Sequence, residues 1–245
     1  MKTYKRINKL AEAVDFVHEL LNKNLVICDI GTDHGYLAEK TSCQDYVDKV
    51  IATDISSKSL QKLVDLIKLK DLKKIETRVG DGLSVIDSAD VTIIAGIGGF
   101  EIISMLENQN KQINGKNKCN YFILQPAQNV VELRHWIFDK KIKLISDYVI
   151  CDADRFYPIL IINIAEKKRT RKNIFNIWLG RYNKVSDEDF FKYLIEVYDS
   201  LAFFKTLPKK RIRQDKVLKE KFILYKMIEK LIDVWYIFLI EEILC

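Results

Sequence analysis

The chain has 245 residues, 48% of them hydrophobic and 30% charged, with only 3 prolines, which suits a packed core with one domain plus an appendage and excludes a disordered chain. Its net charge of +6 is unevenly placed: residues 166–245 hold 18 Lys and Arg against 12 Asp and Glu, and the rest of the chain balances. Such clustering favours an anionic partner, because Lys or Arg beside phosphate releases counterions, although a solvated lysine-rich surface would have the same composition. The five cysteines, Cys28, Cys43, Cys119, Cys151 and Cys245, are scattered and never form a C-x-x-C pair, so reduced thiols in a cytoplasmic protein are expected and no metal site. Residues 1–6 are polar, and the apolar tail 231–244 is too short for a bilayer and carries Asp233, Glu241 and Glu242, so no signal peptide and no membrane association are expected.

Ile7, Leu10, Val14, Val17 and Leu21 recur at helical spacing and predict an amphipathic first helix. Short apolar runs follow at residues 25–30, 50–53, 75–79, 91–95 and 121–124. Between them come helical patterns through Leu60, Leu63 and Ile67 after the possible cap Ser56, then Ile102, Ile103 and Leu106, then Val130, Leu133 and Ile137. Strands alternating with helices predict a parallel sheet covered on both faces. Two further strands, 143–150 and 158–164, lie about six residues apart and suit an antiparallel hairpin at the sheet edge. The polar stretch 110–118 reads as a loop. Beyond residue 166 strand patterns cease: Phe190, Leu194, Val197, Leu201 and Phe204 form one helical stripe, Pro208 interrupts, and a second runs through Val217, Leu224, Ile228, Leu231 and Trp235. The expected architecture is α/β: a Rossmann-like domain at 1–166 with a mostly parallel seven-stranded sheet, then an all-α antiparallel helical hairpin, coiled-coil-like, at 167–245.

The first strand ends in Asp29-Ile30-Gly31-Thr32-Asp33-His34-Gly35, at the carboxyl edge where open α/β sheets bind ligands. A dinucleotide loop requires glycine where Asp33 stands and an uncluttered helix N-terminus for pyrophosphate. Carboxylates there repel a diphosphate but suit S-adenosylmethionine, whose ammonium and sulfonium are positive, so NAD is disfavoured. Asp54 ends the second strand, 23 residues after Gly31, where an acid reaches ribose hydroxyls. Gly80-Asp81-Gly82 follows the third strand and Ala95-Gly96-Ile97-Gly98-Gly99 the fourth. Any one of these motifs alone reads equally as a turn; their recurrence after four successive strands points to a cofactor site. The expected cofactor set is Asp29, Gly31, Thr32, Asp33 and Gly35, then Asp54 and Ile55, then Gly80, Asp81 and Gly82, then Ala95, Gly96, Ile97 and Gly98.

Residues 29–37 (Asp-Ile-Gly-Thr-Asp-His-Gly-Tyr-Leu), 80–83 (Gly-Asp-Gly-Leu), 95–99 (Ala-Gly-Ile-Gly-Gly) and 124–126 (Leu-Gln-Pro) together resemble the bacterial tRNA adenine-N1 methyltransferases of the TrmK type. Gly35 and Ile97 replace an alanine and a methionine of the usual pattern, and residues 127–129 match it loosely. The resemblance covers nearly the whole chain. It implies a class I methyltransferase domain with a C-terminal coiled-coil extension, methylating N1 of adenine 22 in the D-arm region of tRNA with S-adenosylmethionine as cofactor.

Adenine N1 already carries a lone pair and no proton, so positioning matters more than a general base, and the purine must be extruded from its stack. Asp33, His34, Tyr36, Gln125 and Pro126 are the candidate catalytic pocket. Two basic clusters, Lys167, Lys168, Arg169, Arg171 and Lys172, and Lys209, Lys210, Arg211 and Arg213, are candidates for tRNA phosphate contact. A methyltransferase acting on another RNA and a non-catalytic RNA-binding protein on the same fold stand as alternatives. A monomer is expected, although the apolar stripes of the C-terminal helices would also suit another copy.

Overall fold

The computed structural model describes residues 5–32, 34–109, 119–168, 173–180 and 188–244, without the side chains of Gln109, Arg213 and residues 234–244. The chain divides into two compact units, residues 1–170 and 171–245.

In the first unit the elements run α1 (Lys5–Leu21), β1 (Leu25–Ile30), α2 (Tyr36–Ser42), β2 (Val47–Asp54), α3 (Ser57–Lys70), β3 (Ile75–Val79), a 3₁₀ turn (Gly82–Val85), β4 (Val91–Ile97), α4 (Gly99–Gln109), β5 (Tyr121–Pro126), α5 (Val130–Asp139), β6 (Ile142–Asp152) and β7 (Arg155–Lys167). They build a seven-stranded sheet of order β3-β2-β1-β4-β5-β7-β6. The first five strands are mutually parallel, and β7 runs antiparallel to both β5 and β6.

Alternation along the strands sends successive side chains to opposite faces. Leu25, Ile27, Val50, Ala52, Val91, Ile93, Ile123, Ile159 and Ile161 form one buried cluster with Leu10, Val14 and Val17 of α1, Leu37 and Ala38 of α2 and Leu63 of α3. The equally buried Ile102, Leu106, Leu133 and Ile137 of α4 and α5 stand outside that cluster and cover the other face. Local signals set several boundaries. Ser56 caps α3 by accepting from the Ser59 N–H at 3.3 Å, and Asp71, left-handed at φ 52°, ends it.

The sheet edge departs from the sequence expectation. Strands β6 and β7 extend to Asp152 and Arg155 and are joined by Ala153 and Asp154 alone, at φ 49° and 58°. Two consecutive left-handed residues match the right-handed twist of the flanking strands, but Asn-Gly or Asp-Gly normally announces such a turn and Ala-Asp does not. Strand β7 pairs with β5 only as far as Leu160, so residues 155–159 pair with β6 alone and project past the carboxyl edge. The N-terminus of α1 is tied to this projection: the Arg6 N–H donates to Asp152 at 2.9 Å, and the Arg6 guanidinium lies 5.2 Å from the Tyr157 ring centre.

The second unit is helical among its described residues: α6 (Ile174–Leu179), α7 (Glu188–Ser200), a 3₁₀ turn (Ala202–Lys205), α8 (Lys209–Gln214) and α9 (Lys216–Leu244). The apolar stripe through Phe204 therefore ends in a separate turn, and Asp215 restarts the chain as α9 by accepting from the N–H groups of Val217 and Leu218 at 2.8 and 3.1 Å. Phe190, Leu194, Phe204, Leu224, Tyr225 and Ile228 are buried, and the rings of Tyr198 and Tyr225 stack 5.0 Å apart.

Within the first unit, Arg134 of α5 donates two hydrogen bonds to Asp147 of β6, at 3.0 and 2.9 Å, and both side chains are essentially sealed. Removing one partner leaves an uncompensated buried charge. Arg134→Met is expected to lower unfolding stability by about 3–5 kcal/mol in a denaturant titration, and the double variant Arg134→Met/Asp147→Leu to recover most of that loss.

Candidate active site

Sheet order decides where a site can form. From β1 the chain returns through α2 on one face, and from β4 through α4 on the other, so the helices diverge between the carboxyl ends of these adjacent strands and leave a crevice there. Gly31 leaves β1 at φ 76°, in the left-handed region that L side chains avoid, and the Gly31 and Thr32 N–H groups donate to the Thr53 carbonyl of β2 at 2.8 and 3.1 Å. Beneath this turn Asp29 is buried, and the Thr32 hydroxyl donates to its carboxylate.

The loops after β1 to β5 converge at this edge. A side chain on Gly31 would meet Ile97 at 3.4 Å, and one on Gly82 would meet Met105 and Ile30 at 3.5 and 3.6 Å. The Gly80 N–H donates to the Asp54 carbonyl at 2.9 Å, joining the loops after β2 and β3. The Ala127 N–H donates to the Ile97 carbonyl and the Gly99 N–H to the Gln128 carbonyl, each at 2.9 Å, joining those after β4 and β5. Around this floor Ile55 is 78% exposed and Tyr36 48% exposed. The Asp54 carboxylate accepts from the Ser56 N–H at 2.7 Å at the start of α3. His34, also exposed, stands with Nδ1 3.5 Å from Lys62 Nζ and its ring 5.6 Å from that of Tyr36.

Asp29, Gly31, Thr32, Gly35, Asp54, Ile55, Gly80, Asp81, Gly82, Ala95, Gly96, Ile97 and Gly98 all lie on these loops or the strand ends that bear them, as do His34, Tyr36, Gln125 and Pro126. Asp33 lies outside the described residues. Lys167 and Lys168 are exposed but lie at the far end of β7, at the amino edge of the parallel strands, so the sheet separates them from the crevice. Lys209, Lys210 and Arg211 are exposed on α8 of the second unit, with Arg213 on the same helix; Arg169, Arg171 and Lys172 lie outside the described residues. Sequence reasoning passed over Phe100, 56% exposed on the first turn of α4 beside the Gly98-Gly99 pair. Its place off the Ile102/Leu106 stripe was the available signal. Among the described residues no cluster of metal-ligating side chains occurs, and no helix is long and apolar enough to cross a membrane.

Residues 10–160 match the model of the methyltransferase-domain family. The chain belongs to that family. This methyltransferase is 29% identical over 162 residues to the tRNA (adenine(22)-N(1))-methyltransferase of Bacillus subtilis, which spans 65% of this chain and 67% of that one. It superposes on the crystal structure of the B. subtilis m1A22 tRNA methyltransferase TrmK with a TM-score of 0.70 and 25% identity, covering 95% of this chain and 98% of that one. It also superposes on Mycoplasma capricolum TrmK in complex with S-adenosylhomocysteine, with a TM-score of 0.70, 20% identity and coverage of 96% and 98%.

Burial pushes the Asp29 carboxyl up from 3.8 to about 6, against the stabilising Thr32 hydroxyl and with help from the nearby Asp54 charge. The folded chain thus holds this proton more tightly than the unfolded one, so the stabilisation is complete below pH 3.8 and is lost as pH rises through 6. Relative to Asp29→Asn, the wild-type protein without ligand is expected to lose roughly 3 kcal/mol between pH 4 and 7, a difference read from parallel denaturation curves. Parallel pH dependence in the two proteins would place the Asp29 carboxyl in an ordinary environment.

Proposed function

We propose that the protein transfers a methyl group from S-adenosylmethionine to N1 of adenine 22 in tRNA. The crevice suits that cofactor by charge and by its open backbone: Asp29 and Asp54 stand at the ends of β1 and β2 beside glycine-bearing loops, and Gly96 has open space where a side chain would stand. This arrangement is the observation that carries the reading, together with relatives that bear this activity in their names. When bound, the cofactor supplies an electrophilic methyl carbon on a sulfonium.

Asp29, Gly31, Thr32, Asp33 and Gly35 cradle the amino-acid end, with Asp29 and Asp33 answering its ammonium. Asp54 would hold the ribose hydroxyls, Ile55 would stand beside the adenine, and Gly80, Asp81 and Gly82 would hold that base, with Asp81 accepting from its amino group. Ala95, Gly96, Ile97 and Gly98 leave bare backbone beside the reacting methyl. The extruded purine lies among His34, Tyr36, Gln125 and Pro126, which orient N1 without removing a proton. Helices α7 and α9 make the antiparallel, coiled-coil-like hairpin of a C-terminal domain running from residue 167, appended to a catalytic domain at 1–166. Its exposed Lys209, Lys210 and Arg211 contact tRNA phosphates, together with Arg213 and the 167–172 cluster. The protein acts as a cytoplasmic monomer.

Incubation with labelled S-adenosylmethionine and unmodified tRNA transcripts, followed by mapping of the modified nucleotide, is expected to place the label on adenine 22; a transcript with guanine there should accept none. Methylation elsewhere in the transcript, or of both transcripts alike, refutes the assignment. Neutralising Lys209, Lys210 and Arg211 to glutamine is expected to reduce the slope of log affinity against log salt by about 2–3, and an unchanged slope removes these residues from the tRNA surface.

A further inference from the structure

The end of β5 holds a buried acceptor that the described protein leaves unused. Gln125 is 1% exposed, and its Nε2 donates to the Pro126 carbonyl at 3.0 Å. Its Oε1 is sealed from solvent and has no hydrogen-bond partner among the described residues. The two ends of this amide are not interchangeable, because rotating it would set Oε1 against the Pro126 carbonyl oxygen, acceptor against acceptor. Proline offers no N–H to relieve that clash. Burying an acceptor without a donor is costly, so its retention calls for a cause.

The neighbouring strand supplies one. Gln125 pairs with Ala95, and Pro126 pairs with Ile97, so Gly96 is left out of the ladder as a bulge. This bulged glycine sits at φ 77° with nothing within 4 Å of where its Cβ would be. Bulges of this kind locally disrupt the ladder and are common beside functional sites. Alternation from Ile27, Ile93 and Ile123, which share one face, places Asp29, Ala95 and Gln125 together on that same face. A fixed acceptor therefore stands across one strand gap from open backbone, in the row that also carries the buried carboxylate.

Resting on the function proposed above, we infer that Gln125 Oε1 accepts a hydrogen bond from the 6-amino group of the extruded purine and thereby selects adenine over guanine. Adenine presents N–H at position 6 beside an N1 lone pair. Guanine presents a carbonyl oxygen there, which would face Oε1 acceptor to acceptor, and its N1 carries a proton. Accepting from the amine also pushes electron density into the ring and makes N1 a better nucleophile. Because Oε1 is closed to solvent, the side chains over it must shift, so the contact forms when the purine arrives.

The test compares kcat/KM on two tRNA transcripts, one with adenosine and one with purine riboside, which lacks the amine, at position 22. Gln125→Met is expected to lower kcat/KM on the adenosine transcript about 10- to 100-fold more than on the purine riboside transcript. Taking the ratio of the two losses cancels the intrinsic difference in N1 nucleophilicity. Gln125→Glu, whose buried carboxyl is expected to be protonated so that its O–H donates to the Pro126 carbonyl and its other oxygen remains an acceptor, should retain the wild-type preference for adenosine. Calorimetry with S-adenosylmethionine establishes that each variant is folded; should Gln125→Met fail it, the preference shown by Gln125→Glu decides, and its loss overturns the inference. Equal losses on both transcripts, or no loss, overturn this inference alone. A wild-type protein that binds S-adenosylmethionine yet methylates neither transcript overturns the adenine reading and this inference with it.

Discussion

The reversal of strand order between the parallel neighbours β1 and β4 is the constraint on which the rest of the molecule depends. Parallel strands need crossovers that return over one face or the other, and the only place in this sheet where neighbouring crossovers part is beside these two strands. The parting leaves backbone, not side chains, as the wall of a crevice. The sharp exit from β1 falls to Gly31 and the bulge near the end of β4 to Gly96, both left-handed, and Asp29 is buried beneath the first of these turns.

Two features keep that edge in shape. The β6–β7 hairpin outruns β5 and, with the N-terminus of α1 fastened to it through Arg6, Asp152 and Tyr157, walls the side of the crevice nearest β5. The sealed Arg134–Asp147 pair fixes α5 to β6, and α5 begins only four residues after Pro126, so this pair also holds the end of β5, with Gln125, and the loop that carries Gln128. A two-point guanidinium–carboxylate contact in a dry interface tolerates little sliding. Charge is divided between the units. The crevice is acidic at Asp29 and Asp54, suited to a cationic methyl donor, and α8 is basic, suited to an anionic nucleic acid.

Much of the first unit was legible because its signals are local. Short β-branched runs marked β1 to β5, the Leu10/Val14/Val17 stripe marked α1, and Ser56 marked the start of α3. The hairpin turn was not legible, since Ala153 and Asp154 take positive φ without the glycine that would announce it. Nor was the Arg134–Asp147 pair, since a lone charge within a helical pattern reads as solvated surface until its partner is brought opposite. The C-terminal stripes predicted two long helices, yet the turn at Ala202–Lys205 and the cap at Asp215 divide the region further, because caps and tight turns end helices that apolar periodicity alone would continue.

By itself the sequence determined the alternation of strands and helices, the glycine and aspartate loops after four of those strands, and the concentration of positive charge in the last third of the chain. These are properties of neighbouring residues and of composition. Only the tertiary structure decided that those loops meet, that Asp29 is dry enough for its carboxyl to titrate near 6, that Lys167 and Lys168 lie at the opposite edge, and that Gln125 holds an acceptor unmet among the described residues, beside a bulge. Each of these depends on which distant segment packs alongside, because desolvation and hydrogen-bond pairing are set by neighbours in space that no local period encodes.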